Sequence, residues 1–187
     1  GMRAFLDGQD YIRQSDVVSL LIVTSAVIGF FGFTAAQQIP VFARDVLAVA
    51  GESESTVASR NSAMVAALGV GALAASVMLT WFSSFKRKGL LMTIGQLVFG
   101  LALIASSFSR SFPLSVLCLA LTGWGQVTAL NLTNQIMQLT VPPSLRSRVF
   151  STYLWALQGV TPFGSLLMGW IAQRFSAPLA VLIGGSV

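Results

Sequence analysis

Residues 111–145 read SFPLSVLCLALTGWGQVTALNLTNQIMQLTVPPSL, and no Asp, Glu, Lys or Arg interrupts them. A helix rises 1.5 Å per residue, so roughly 20 mostly apolar residues cross the hydrocarbon of a bilayer. Four further runs, 17–43, 61–85, 89–109 and 149–173, are equally free of charge and long enough for the same crossing. In hydrocarbon a single segment satisfies its own backbone groups only as a helix. The pattern predicts an all-α, polytopic transmembrane helix bundle.

Composition agrees. Charged residues make up 9% of the chain and mean hydropathy is +0.79, whereas a soluble domain carries about 25% charged residues. No water-facing helical surface can be drawn from such a sequence. The net charge of +5 does not signal nucleic acid, because the cations fall at the ends of apolar runs rather than on one stripe beside stacking aromatics. They read as topology signals and headgroup contacts, with the lipid bilayer as a partner and no nucleic acid. Cys118 is the single cysteine, inside an apolar run, and His is absent. No disulfide framework, Cys/His metal site or imidazole base can be built, so no metal, no cofactor and no catalytic residues are expected.

Working along the chain, residues 1–16 form an amphipathic linker, with Tyr11 and Ile12 among Asp10, Arg13 and Asp16, expected at headgroup level. Residues 17–187 form the helical unit: spans at about 17–41, 62–82, 90–108, 114–139 and 148–171, then 178–187, which is half a crossing. The architecture expected is five full spans plus a truncated sixth, a piece of something larger. Polar residues 44–60 make the longest loop, and Pro142 and Pro143 end the fourth span. Alternating loops put Arg3, Arg13, Lys86, Arg87, Lys88, Arg146 and Arg148 on one side, against Arg44, Arg60, Arg110 and Arg174. The richer side is cytoplasmic by the positive-inside rule, which places the N-terminus inside.

With no charge inside a span, the amides carry the functional information. At 100° per residue, Trp124, Val127, Asn131, Asn134, Gln135 and Gln138 share an arc of about 100°, opposite Leu119, Gly125, Leu132 and Ile136. Unpaired amides are costly in hydrocarbon, so the stripe meets either a water-filled cavity or hydrogen-bonding neighbour helices. On the next helix Ser151, Trp155, Gln158, Pro162, Ser165 and Gly169 share a face, offering an aromatic platform and an amide to an amphipathic solute. Pro162 predicts a kink. Gln37 and Gln38 are further cavity candidates, or else they satisfy carbonyls freed by the helix-kinking Pro40. Small residues at four-residue spacing, Ala67/Gly71/Ala75, Gly125/Ala129 and Ser165/Gly169, predict close helix crossings.

Three passages resemble the major facilitator superfamily, and within it the siderophore and macrolide exporters called transmembrane secretion effectors. Gly8-Gln9-Asp10-Tyr11-Ile12-Arg13 resembles the family's linker before helix seven. Pro40-Val41-Phe42-Ala43-Arg44-Asp45-Val46-Leu47 is similar to its segment at the outer end of that helix. Val141-Pro142-Pro143-Ser144-Leu145-Arg146-Ser147-Arg148-Val149 is similar to its loop between helices ten and eleven. The resemblance implies the C-terminal half, helices seven to twelve, of a twelve-helix transporter whose N-terminal six-helix half is the partner. It also implies helices seven, eight, ten and eleven around the cavity, and a multi-pass bacterial inner-membrane exporter of small amphipathic molecules by alternating access and proton antiport. Because the spans hold no carboxylate or His, the coupling residue is expected in the N-terminal half. The cations Lys86, Arg87, Lys88, Arg146 and Arg148 are assigned to cytoplasmic gating and topology. Residues 85–89 keep the cations of a superfamily gating loop and lack its Asp. The alternatives are a non-transporting scaffold or receptor-like module and an intramembrane enzyme. For the latter, Ser–His and aspartyl chemistry lack their residues.

Overall fold

The computed structural model describes residues 2–36, 53–82 and 86–186, and these are helical with short connections. Helix α1 (Met2–Gln14) turns at Ser15 into α2 (Asp16–Val27), which continues through a π-turn (Ile28–Gly32) into α3 (Phe33–Ala36). Then follow α4 (Glu54–Trp81), α5 (Lys88–Phe108), α6 (Phe112–Thr140) and α7 (Arg146–Leu154). A second π-turn (Trp155–Gly159) leads on to α8 (Thr161–Arg174) and α9 (Ala177–Ser186). Three single helices, α4, α5 and α6, are long and apolar enough to cross a bilayer. A bent pair, Gly8–Gln14 with Asp16–Gly32 at 102°, is a fourth candidate. The chain is thus an all-helical, multi-pass membrane protein.

Two boundaries differ from the sequence reading. Helix α4 begins at Glu54, so polar residues through Arg60 form its first turns rather than a loop. Exposed Ser59 and Ser62 bond the carbonyls three and four residues back, at 2.8 and 2.9 Å, which suits a polar helical end. The span around Trp155 is two helices with a π-turn between them. Pro162 stands in the first turn of α8, the part of a helix that best tolerates a missing N–H. Pro40 lies outside the described residues.

Glycine decides how the helices meet. Helix α6 lies between α4 and α5. A Cβ on Gly71 would strike the Ala120 carbonyl, and one on Gly123 would strike that of Leu68, so α4 and α6 touch backbone to backbone. Ala67 and Ala75 are buried with them, as the small-residue spacing predicts. On the other flank a Cβ on Gly125 would stand 2.6 Å from the Phe99 nitrogen, and one on Gly95 would stand 3.1 Å from that of Ala129. Helices α5 and α9 cross at Gly100 and Gly185. The third predicted pair fails, since Gly169 has nothing within 4 Å. Its place is taken by Gly164, seated on the Phe30 carbonyl.

Gly71→Ala should cost about 1–3 kcal/mol, because neither carbonyl nor helix can give way cheaply. The loss would be read as a lower unfolding temperature of the detergent-solubilised protein. Gly69→Ala, facing open space two residues earlier, should be neutral or stabilising by up to about 1 kcal/mol. Equal behaviour of the two variants would contradict this crossing.

Candidate functional site

One end of the bundle is tied by side chains from separate parts of the sequence. Gly8 packs on Arg148, where an added Cβ would stand 2.9 Å from the arginine Cβ. Gln9 Nε2 donates to Thr152 Oγ1 at 2.9 Å, and Tyr11 OH donates to the Thr140 carbonyl at 3.0 Å. Ile12 is buried in a cluster with Leu21, Met137, Val149 and Tyr153. The amphipathic α1 therefore docks across the end of α6 and the start of α7, where its apolar side meets protein. Arg146 closes the last turn of α6, giving Nη2 to the Gln138 carbonyl at 2.8 Å and Nε to that of Val141 at 3.2 Å. Such charge-assisted bonds satisfy carbonyls that a helix end leaves open. Lys86 and Arg87 at the same end are exposed.

The α6 face predicted from periodicity is the face that packing leaves open. Asn131 and Gln138 are exposed, Trp124, Val127, Asn134 and Gln135 are half-buried, and the opposite residues Leu119, Gly125 and Leu132 are buried against neighbours. One amide is already engaged: Lys88 Nζ donates to Gln135 Oε1 at 3.0 Å. That contact is the interhelical option for this position. Among the described residues, no hydrogen bond to another side chain or backbone group is made by the side chains of Asn131, Asn134 or Gln138.

On the fifth sequence span Ser151, Trp155, Gln158 and Pro162 are exposed, Trp155 at 68%. Trp155 and Gln158 belong to the π-turn itself. The indole lies over Gly159, where a Cβ would stand 3.0 Å from Cδ1 and 3.2 Å from Nε1. Beyond the turn the exposed positions include Phe163, Leu166, Leu167 and Trp170, while Ser165 and Gly169 are only half-exposed. A π-turn inserts one extra residue, so the stripe drawn at uniform 100° steps moves by one position after it. No hydrogen bond joins the α6 amides to Trp155 or Gln158. Gln37 and Gln38 lie outside the described residues.

Two polar features escape the periodicity argument. Gln96 lines a cavity of about 410 Å³ between α2, α5 and α9, with Thr24, Thr93 and Phe31 around it; an amide within an uncharged run was the available signal. Among the described residues the Tyr153 hydroxyl, buried beside Ser25, has no hydrogen-bond partner, and the Ser25 hydroxyl donates instead to the Leu21 carbonyl at 2.7 Å.

Neither a curated protein nor a solved structure matches the chain significantly. A family model described as transmembrane secretion effector matches residues 2–187. That span contains the docked segment at Gly8–Arg13 and the first turn of α7, Arg146–Arg148, on which it rests. The chain belongs to the transmembrane secretion effector family of the major facilitator superfamily, and so to the multi-pass membrane transporters.

Proposed function

We propose that the chain is the C-terminal half of an exporter of small amphipathic solutes of siderophore or macrolide type, working by alternating access around a cavity shared with an N-terminal six-helix half. One observation carries the reading. Asn131, Gln138 and Gln158 are exposed on helices of an apolar bundle, and among the described residues no group bonds their amides. A buried amide without a partner costs roughly 2–7 kcal/mol, so these side chains need water or solute rather than acyl chains. Trp155 beside Gln158 adds a flat aromatic surface to two donors and an acceptor, a combination suited to macrocyclic or aromatic solutes.

In this reading the bundle comprises helices seven to twelve, with residues 1–16 as the linker. Gly184–Ser186 border the 410 Å³ cavity, whose other walls include Thr24, Thr93 and Gln96. The end carrying α1, Lys88 and Arg146 is cytoplasmic in a bacterial inner membrane, by the positive-inside rule. Lys88 and Arg146 hold that end together, and Lys86 and Arg87 meet lipid headgroups. Proton antiport draws its titrating group from the N-terminal half, because the uncharged spans supply none.

In the complete transporter, Asn131→Cys, Gln138→Cys and Gln158→Cys should react with a charged, membrane-impermeant maleimide. Leu132→Cys, on the opposite, packed face and 3% exposed in the parent, should stay unreactive because a thiolate forms only where water reaches. Native Cys118, 4% exposed, should remain silent. Absence of labelling at all three amide positions would place the amides in lipid. Asn134→Ala and Trp155→Ala should each change the apparent affinity for some effluxed compounds by roughly 5–30-fold at equal membrane expression. Unchanged efflux across a panel of amphipathic compounds would remove both residues from the cavity.

A further inference from the structure

The two π-turns lie against each other. Ile28–Gly32 interrupts the helix that starts at Asp16, and Trp155–Gly159 interrupts the one that starts at Arg146. They meet at Gly29, where a Cβ would collide with the Leu157 carbonyl. Half-buried Thr161 reaches both backbones. Its hydroxyl is 3.1 Å from the Leu157 carbonyl oxygen and 3.4 Å from that of Gly29, sharing one proton between them. Pro162, the next residue, contributes no N–H, so carbonyls at the end of the turn are short of a donor and the Thr161 hydroxyl supplies one.

The outward side of this five-residue turn carries Trp155 and Gln158, with the indole laid over Gly159. The inward side is fastened to α2. A π-turn is rarer than the α-helix around it and persists where neighbours hold it. Here Gly29 and Thr161 do so. Relaxation of the turn to α geometry would shift the register by one residue and rotate the side chains within it by about 100° relative to the rest of the helix.

We propose that Thr161 is a positioning residue for the transported solute: its hydroxyl fixes the π-turn that aims Trp155 and Gln158, and it couples occupancy of that aromatic platform to α2. The proposal rests on the cavity reading above, and the chemical class it implies is an amphipathic molecule with an extended aromatic or conjugated face.

The test uses the complete transporter in nanodiscs with Trp155 as its sole tryptophan, the others replaced by Phe. Acrylamide quenching of Trp155 is measured without solute, and the affinity for the dye Hoechst 33342 is measured by titration. Thr161→Val, isosteric but without the hydroxyl, should change the quenching constant about twofold and weaken dye binding about fivefold, the scale of one lost hydrogen bond. Thr161→Ser should restore both. Unchanged quenching in Thr161→Val overturns the proposal, whatever happens to transport. Should Thr161→Val fail to insert, Thr161→Ala is read in the same way. Trp155→Ala, measured by dye fluorescence, serves the other arm. If it binds the dye like the parent, the cavity reading fails, and quenching alone still decides whether Thr161 sets the turn.

Discussion

In hydrocarbon every polar group must find a partner within the protein, and that constraint sorts the side chains of this chain into two kinds. Many hydroxyls settle locally. Ser25, Ser76, Thr80 and Thr122 each donate to the carbonyl four residues back, at 2.7–3.0 Å. A helix can therefore carry them on any face. Carboxamides have two donors and an acceptor to place and cannot close on their own helix in this way. Gln135 solves the problem with Lys88. Asn131, Gln138 and Gln158 have no such neighbour among the described residues, and the proposed cavity rests on this unmet demand.

Helix contacts follow a second rule, that backbones approach only where no Cβ intervenes. The crossings of α4 with α6 and α5 with α6 rest on Gly71, Gly123, Gly95 and Gly125, and α5 meets α9 at Gly100 and Gly185. With those faces committed to packing, the amide face of α6 is what remains. The tie at the opposite end of the argument is polar: Tyr11 on the Thr140 carbonyl, Gln9 on Thr152 and Arg146 on the last turn of α6. Residues that look alike in composition thus divide into those that brace the bundle and those that packing leaves open.

Much of this was legible in the sequence because charge-free length and 3.6-residue periodicity survive translation into structure. The α6 amide face and the Ala67/Gly71/Ala75 crossing both lie where the spacing puts them. The stripe beyond Trp155 does not. Nothing in residues 155–159 announces a π-turn, and its one extra residue moves exposure from 165 and 169 to 166 and 170. Gly164 and Gly169 illustrate a second limit, since spacing names a small-residue face without saying which neighbour will use it. Docking of α1 was also hidden, because an amphipathic helix suits a headgroup layer and a protein groove equally well. Gln96 faces a cavity that only the arrangement of α2, α5 and α9 creates.

The central claim is that the unpartnered amides of α6 and of the second π-turn face an aqueous, solute-accessible space. A structure of the complete transporter in a lipid nanodisc tests it most directly. The account predicts water or solute density against Asn131, Gln138 and Gln158, with six further helices closing the far side of that space. Ordered acyl chains lying on those three residues would contradict it.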